Sequence, residues 1–296
     1  MRHAPPVRGS IRPSGAPIAM PFHTEPDRDA QPESGRSGVR PGGEVGAGDR
    51  PTLSRWVAAC AVHLYTSTGV VLAFVAAAAI SSQRPDVRVV FLLLALAVLI
   101  DSSDGPLARR CRVERWLPEI AGRTIDDLVD YLTYTFVPLL LVWRMEWLPD
   151  PALVWIAPAL VASLFGFANT GAKDERGGFF LGFPSYWNVV AFYMGIFYHV
   201  TGPWVNAALV LSLAVLTLAP VGFVYPNLAP RRWRLLLILG GLVWLALLLG
   251  MLIDYPRPPV WTIWLSLFYP LLYIATSFHL WRRNLKTLAP DDTRRG

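Results

Sequence analysis

The chain has 296 residues, of which 53% are hydrophobic and only 16% charged, below the roughly one quarter charged in an average soluble domain. The charges sit in a few loops and leave long stretches bare, which excludes an ordinary soluble domain and points to membrane spans. A net charge of +6 does not imply a nucleic-acid partner here, because arginine-rich loops of membrane proteins set topology and face anionic lipid headgroups.

Residues 1–51 contain 17 Pro and Gly, seven Arg and six acids. Such a stretch buries too little apolar surface to offset its ordering entropy, so residues 1–50 are expected to be a disordered tail. Its apolar run, 16–22, is too short for a signal peptide and is broken by Pro17 and Pro21. Eight apolar segments follow, at about 56–80, 87–108, 123–144, 151–171, 186–201, 204–224, 233–253 and 260–281. Each is near the ~20 residues a helix needs to cross hydrocarbon. They predict an all-α integral membrane protein, a bundle of about eight transmembrane helices over residues 51–283, followed by a short basic and polar tail at 284–296. Gly202-Pro203 leaves almost no loop between the fifth and sixth segments, so those two are expected to pack antiparallel.

Positive charge alternates between loops. Arg109, Arg110, Arg112, Arg115 and Arg123 follow the second segment, Lys173 and Arg176 the fourth, and Arg231, Arg232 and Arg234 the sixth. The intervening loops hold only Arg84 and Arg88, then Arg144, then none, then Arg257. Positive charge stays inside, so both termini are expected in the cytoplasm. Cys60 lies in an apolar span and Cys111 in a basic loop, a pattern that suggests neither a disulfide framework nor a zinc site.

The second segment is apolar from Val87 to Ile100 and then delivers Asp101 and Asp104; the third opens with Asp126, Asp127 and Asp130. On helices, Asp101 and Asp104 share a face, and so do Asp126 and Asp130. Antiparallel packing then sets four carboxylates across one interface near the cytoplasmic boundary. A bare acid inside a span costs about 2.5–3.5 kcal/mol on insertion scales, while each Leu or Val returns only about 0.3–0.6. A divalent cation removes that penalty and the mutual repulsion. Oxygen donors without His or Cys suit Mg²⁺ or Mn²⁺, and four carboxylates can hold two such ions, as phosphoryl transfer uses. A single Asp at a helix end reads more simply as a solvated acid paired with arginine; four on two adjacent spans do not. Asp127 lies off the shared face.

The run Asp101-x2-Asp104-Gly105-x2-Ala108-Arg109-x12-Gly122-x3-Asp126-x3-Asp130 resembles the signature of the CDP-alcohol phosphatidyltransferase family. The twelve-residue spacer, the stretch Gly182-Phe183-Pro184-Ser185-Tyr186-Trp187-Asn188 and eight spans resemble its bacterial phosphatidylcholine synthase branch. The similarity extends from about His63 to Trp281. A Lys-Tyr-x-Tyr-Pro stretch of the family is matched here only by Gly222-Phe223-Val224-Tyr225-Pro226. The resemblance implies a bacterial inner-membrane enzyme, active at the cytoplasmic face, that moves a phosphatidyl group from CDP-diacylglycerol to choline and releases CMP. It also implies a homodimer.

By this resemblance Asp101, Asp104 and Asp126 bind metal, and Asp130 is the general base and touches the second ion. Gly105, Ala108, Arg109 and Gly122 border the nucleotide and diphosphate. Gly105 and Gly122 also read as a helix stop and a helix start, and Arg109 as a topology signal. Thr66, with Ser67 and Thr68, sits where family members contact the nucleotide or the metal-site residues, though such hydroxyls often bond back to their own helix. Choline carries a quaternary ammonium with no N–H donor, so its site needs aromatic faces. Tyr131, Tyr134, Tyr186 and Trp187 are the candidates, although Trp and Tyr also gather at membrane interfaces. His63 and His199 stand singly in apolar spans and read as packed residues.

Three other readings stay open: a relative that uses serine, inositol or glycerol phosphate as acceptor, an intramembrane prenyltransferase that also holds Mg²⁺ between Asp-rich helix ends, and an ion-coupled transporter. Pyrophosphate in place of CMP marks the prenyltransferase, and flux without turnover marks the transporter. Transporter carboxylates usually lie near the midplane, whereas these cluster at one end.

Overall fold

The computed structural model describes residues 51–169, 173–174 and 178–288. The tail expected at 1–50 lies outside them. Helix α1 spans Leu53–Ile80 and α2 spans Val87–Cys111, joined by a short turn. The Asp86 carboxylate caps α2 by accepting from the Arg88 amide at 2.9 Å, which satisfies one of the free N–H groups at the helix start. A left-handed Arg112, φ 50°, ends it. A short α3, Val113–Trp116, leads to α4, Gly122–Asp130.

Helix α4 passes into a π-helical turn, Tyr131–Phe136, and then into α5, Val137–Arg144. Pro138 lacks the N–H that would bond the Tyr134 carbonyl, and the wider turn absorbs the defect. Within it the Val137 amide donates to the Leu132 carbonyl. From this turn the Tyr134 hydroxyl reaches Asp101 of α2. Helix α6, Leu153–Ala168, follows.

Helix α7 covers Trp187–Leu218 but breaks at Gly202, φ 72° and ψ 177°, just before Pro203. A straight helix of 32 residues is about 48 Å long. Yet the Phe183 amide, ahead of its start, donates to the Leu216 carbonyl near its end at 3.0 Å. Helix α7 is therefore a hairpin of two arms, folded at the Gly-Pro pair. Helices α8, Arg231–Met251, and α9, Val260–Leu288, complete the set. The last runs past residue 283, where the polar tail was expected to begin.

The protein is a helical membrane protein. By length and composition α1, α7, α8 and the Val260–Asn284 part of α9 are apolar enough to cross a membrane. A small antiparallel sheet is the departure from all-helical expectation: β1 (Lys173–Asp174), β2 (Phe179–Leu181) and β3 (Gly222–Val224) pair in that order. Strands of two or three residues are too short to print an alternating pattern on the sequence. The sixth apolar segment extends to 224 in sequence, but its helix stops at Leu218, before Pro220, and Phe223 and Val224 pair with β2 instead.

The core runs through the bundle. Ala76, Ile80 and Val90 from α1 and α2 meet Val137, Leu141, Trp187, Met194 and Val210, all nearly inaccessible. Alanines and Gly69 let α1 lie close to its neighbours: a Cβ on Gly69 would collide with Val129 of α4. That close approach fixes α4 against α1 and sets the depth of its aspartates.

Candidate active site

Asp101 lies on α2, and Asp126 and Asp130 lie one turn apart on α4. Each offers a carboxylate oxygen, and the three oxygens lie within 4.8 Å of one another. All three residues are half-buried. The donors are oxygens only, gathered around one point in a half-buried interface, an arrangement able to hold a metal ion. The Tyr134 hydroxyl donates to Asp101 Oδ2 at 2.7 Å and fixes that carboxylate from the π-helical turn.

The structure does not bring Asp104 into this group. Its side chain is buried, at 7% exposure, beside Thr66 of α1. The Thr66 hydroxyl donates to the Val62 carbonyl at 3.4 Å and lies next to Asp104. Ser67 and Thr68 bond back to the His63 and Tyr65 carbonyls at 2.8 and 2.6 Å. Of the three neighbouring hydroxyls, Thr66 reaches the aspartate face.

Arg109 is exposed, and its guanidinium lies over Gly105, where an added Cβ would meet Nη1 at 3.4 Å. Ala108 packs against the small apolar cluster that includes Ala59, Val62 and Trp116. Gly122 opens α4 against His63, whose ring Cε1 would stand 2.7 Å from an added Cβ. In this structure Gly122 thus lets α4 meet α1. The Nε2 of His63 is buried there without a hydrogen-bond partner among the described residues.

The four aromatic candidates separate. The Tyr131 hydroxyl donates to the Leu160 carbonyl at 3.2 Å, and its ring meets the edge of Phe167, so it faces α6. Trp187 is 1% exposed, with Nε1 on Ser163 Oγ at 2.8 Å and its ring against Phe183; it is a core residue with no face open to a ligand. Tyr134 and Tyr186 stay together, ring centroids 5.8 Å apart. They border a cavity of about 530 Å³ that continues among Phe91, Leu94, Leu245 and Leu248. Tyr273 and Phe223 also line it, neither of them a candidate on sequence grounds. Phe223 belongs to a stretch singled out in the sequence, but Tyr273 is one tyrosine among many in apolar segments and carries no local signal.

Tyr186 is held by its loop. Gly182 has φ 90°, and a Cβ on it would run into the Thr217 carbonyl oxygen. Gly182→Ala is therefore expected to cost about 1–3 kcal/mol through backbone strain alone. The measurement is a lower Tm of the detergent-solubilised protein; an unchanged Tm would contradict the tight loop.

Fold and site together define a helical membrane protein with a carboxylate cluster able to hold a metal ion where two helices meet. No family model matches the chain. Curated relatives do, and each is named phosphatidylcholine synthase. The Pseudomonas aeruginosa protein is 39% identical over 223 residues, 75% of this chain and 90% of that one. The Legionella pneumophila protein is 33% identical, covering 77% of this chain and 90% of its own length; the Agrobacterium fabrum protein is 31% identical, with 76% and 88% covered. The chain belongs to the bacterial phosphatidylcholine synthase family.

Proposed function

We propose that this enzyme transfers the phosphatidyl group of CDP-diacylglycerol to choline. The choline oxygen bonds to the phosphatidyl phosphorus, the bond to CMP breaks, and the choline hydroxyl proton passes to a carboxylate. The observation that carries the reading is the meeting of Asp101, Asp126 and Asp130 within 4.8 Å in a chain of this family. We assign Asp130 as the base: it closes α4, shares the carboxylate group with Asp101, which Tyr134 of the cavity holds, and precedes Tyr134 by four residues. An alcohol is a poor nucleophile until such a carboxylate takes its proton. Asp101 and Asp126 would hold the metal, with Asp130 completing the set and Asp104 available to a second ion. Mn²⁺ or Mg²⁺, two ions when substrate is present, would neutralise charge on the diphosphate and the departing CMP. Arg109, above Gly105, pairs with a phosphate oxygen, and Thr66 orients Asp104.

The apolar length of the cavity supports a lipid substrate, since Phe91, Leu94, Leu245 and Leu248 offer an acyl chain nothing but hydrocarbon. Eight crossings follow from counting the α7 hairpin as two spans and α2, α4–α5 and α6 as one each. With the arginine-rich loops inside, both termini and the aspartates then face the cytoplasm of a bacterial inner membrane. The catalytic domain is residues 51–283, and the enzyme works as a homodimer.

The test is an acceptor panel. Membranes containing the full chain receive CDP-diacylglycerol, Mn²⁺ and, in turn, choline, serine, inositol or glycerol 3-phosphate. Lipid product and CMP are expected from choline alone. Product from another acceptor instead would move the enzyme to a sister specificity, and pyrophosphate release would remove it from phosphatidyl transfer.

A further inference from the structure

The cavity beside the aspartates has a composition that selects among acceptors. Tyr134, Tyr186 and Tyr273 share it with Phe223. Tyr134 donates to Asp101, and its ring lies 5.8 Å from that of Tyr186 at a tilt of 51°. The Tyr273 ring stacks on Phe223, centroids 6.4 Å apart, and its hydroxyl is tied to the Val224 carbonyl at 3.1 Å. Tyr186 and Tyr273 line the same cavity as Tyr134, which holds Asp101. Three segments far apart in sequence, the π-helical turn, the loop before α7 and the middle of α9, thus send tyrosines to one place.

No Arg, Lys, Asp or Glu lines this cavity among the described residues. Serine and glycerol phosphate carry a carboxylate or phosphate that would find no countercharge there, and inositol would leave most of its hydroxyls without partners. A trimethylammonium group asks for neither. It is a bulky, weakly hydrated cation that gains from aromatic faces and from carboxylates a little way off. Choline also has only two carbons between its nitrogen and its hydroxyl. A hydroxyl placed at Asp130 therefore brings the cation beside the groups next to the cluster.

We infer that Tyr134, Tyr186 and Tyr273, backed by Phe223, form the acceptor's quaternary-ammonium site and set specificity for choline. The inference rests on the choline reading above and adds the residues that make the choice. Tyr186 and Tyr273 act through their ring faces; Tyr134 does so while also holding Asp101.

The test uses the full chain in detergent–lipid micelles with Mn²⁺ and CDP-diacylglycerol. Tyr186→Leu and Tyr273→Leu are each expected to raise the choline KM about tenfold, with the CDP-diacylglycerol KM unchanged. Tyr273→Phe, which keeps the ring, is expected to keep the choline KM. An unmoved choline KM in both leucine variants, or equal rises for both substrates, would overturn the site. Should the leucine variants not fold, the wild type still decides. It is expected to reject 3,3-dimethylbutan-1-ol, the uncharged carbon isostere of choline, and equal use of the two alcohols would sink the proposal. A wild type that makes no lipid from choline would instead remove the phosphatidylcholine reading itself. That result is distinct from choline turnover with unmoved variants.

Discussion

Asp130→Asn is expected to lower turnover by about 10²–10⁴-fold, the contribution a positioned general base makes, while metal-dependent binding of CDP-diacylglycerol survives. The asparagine keeps the shape of the side chain and one oxygen near Asp101 and Asp126, so the carboxylate group loses charge but not its geometry. It cannot take the proton of the choline hydroxyl. Asp127→Asn is the matched control: it sits on the same turn of α4 but outside the three-carboxylate group, and near wild-type turnover is expected. The measurements are kcat for CMP release and equilibrium binding of the CDP-lipid in the presence of Mn²⁺. Loss of lipid binding together with turnover would make Asp130 chiefly a metal ligand and leave the proton without an acceptor.

What the sequence disclosed and what it hid follow from the range of the forces involved. Spans are long and their apolar character is summed over many residues, so the helices could be read one after another. Gly202 and Pro203 announced the α7 hairpin because backbone chemistry is local: glycine takes the positive φ and proline cannot continue the hydrogen-bond ladder. Asp126 and Asp130 were legible as a pair because four residues bring a helix back to one face.

The orientation of Asp104 was not legible in the same way. It shares a face with Asp101, but its side chain is buried beside Thr66, a residue on a third helix, and does not join the three-carboxylate group. The sheet was hidden by the shortness of its strands. Tyr273 was hidden because its meaning comes from Tyr134 and Tyr186, which are distant in sequence and adjacent only after α9 packs across the cavity. Trp187 shows the opposite effect: it neighbours Tyr186 in the chain, yet its indole bonds to Ser163 and is spent on the core.

The same division among the aspartates predicts the metal stoichiometry. Three carboxylate oxygens within 4.8 Å can share one divalent ion, and sharing relieves their repulsion. By the proposed mechanism a second ion would engage Asp104, whose side chain is buried beside Thr66 and would first have to turn toward the group. The gain that offsets this is the diphosphate of the substrate, which brings negative oxygens of its own. Without lipid, Mn²⁺ titrated into the chelator-treated protein is therefore expected to fill one tight site per chain. Asp104→Asn should leave that site within a few-fold of wild type. Asp101→Asn should weaken it by about tenfold or more, since even outer partners of metal ligands contribute 10–100-fold. With CDP-diacylglycerol present a second ion should appear, and Asp104→Asn should abolish it. Activity is expected to vanish on exhaustive chelation and return with Mn²⁺ or Mg²⁺. Two equivalent sites in the lipid-free protein, or full turnover after chelation, would mean that these carboxylates meet for another reason.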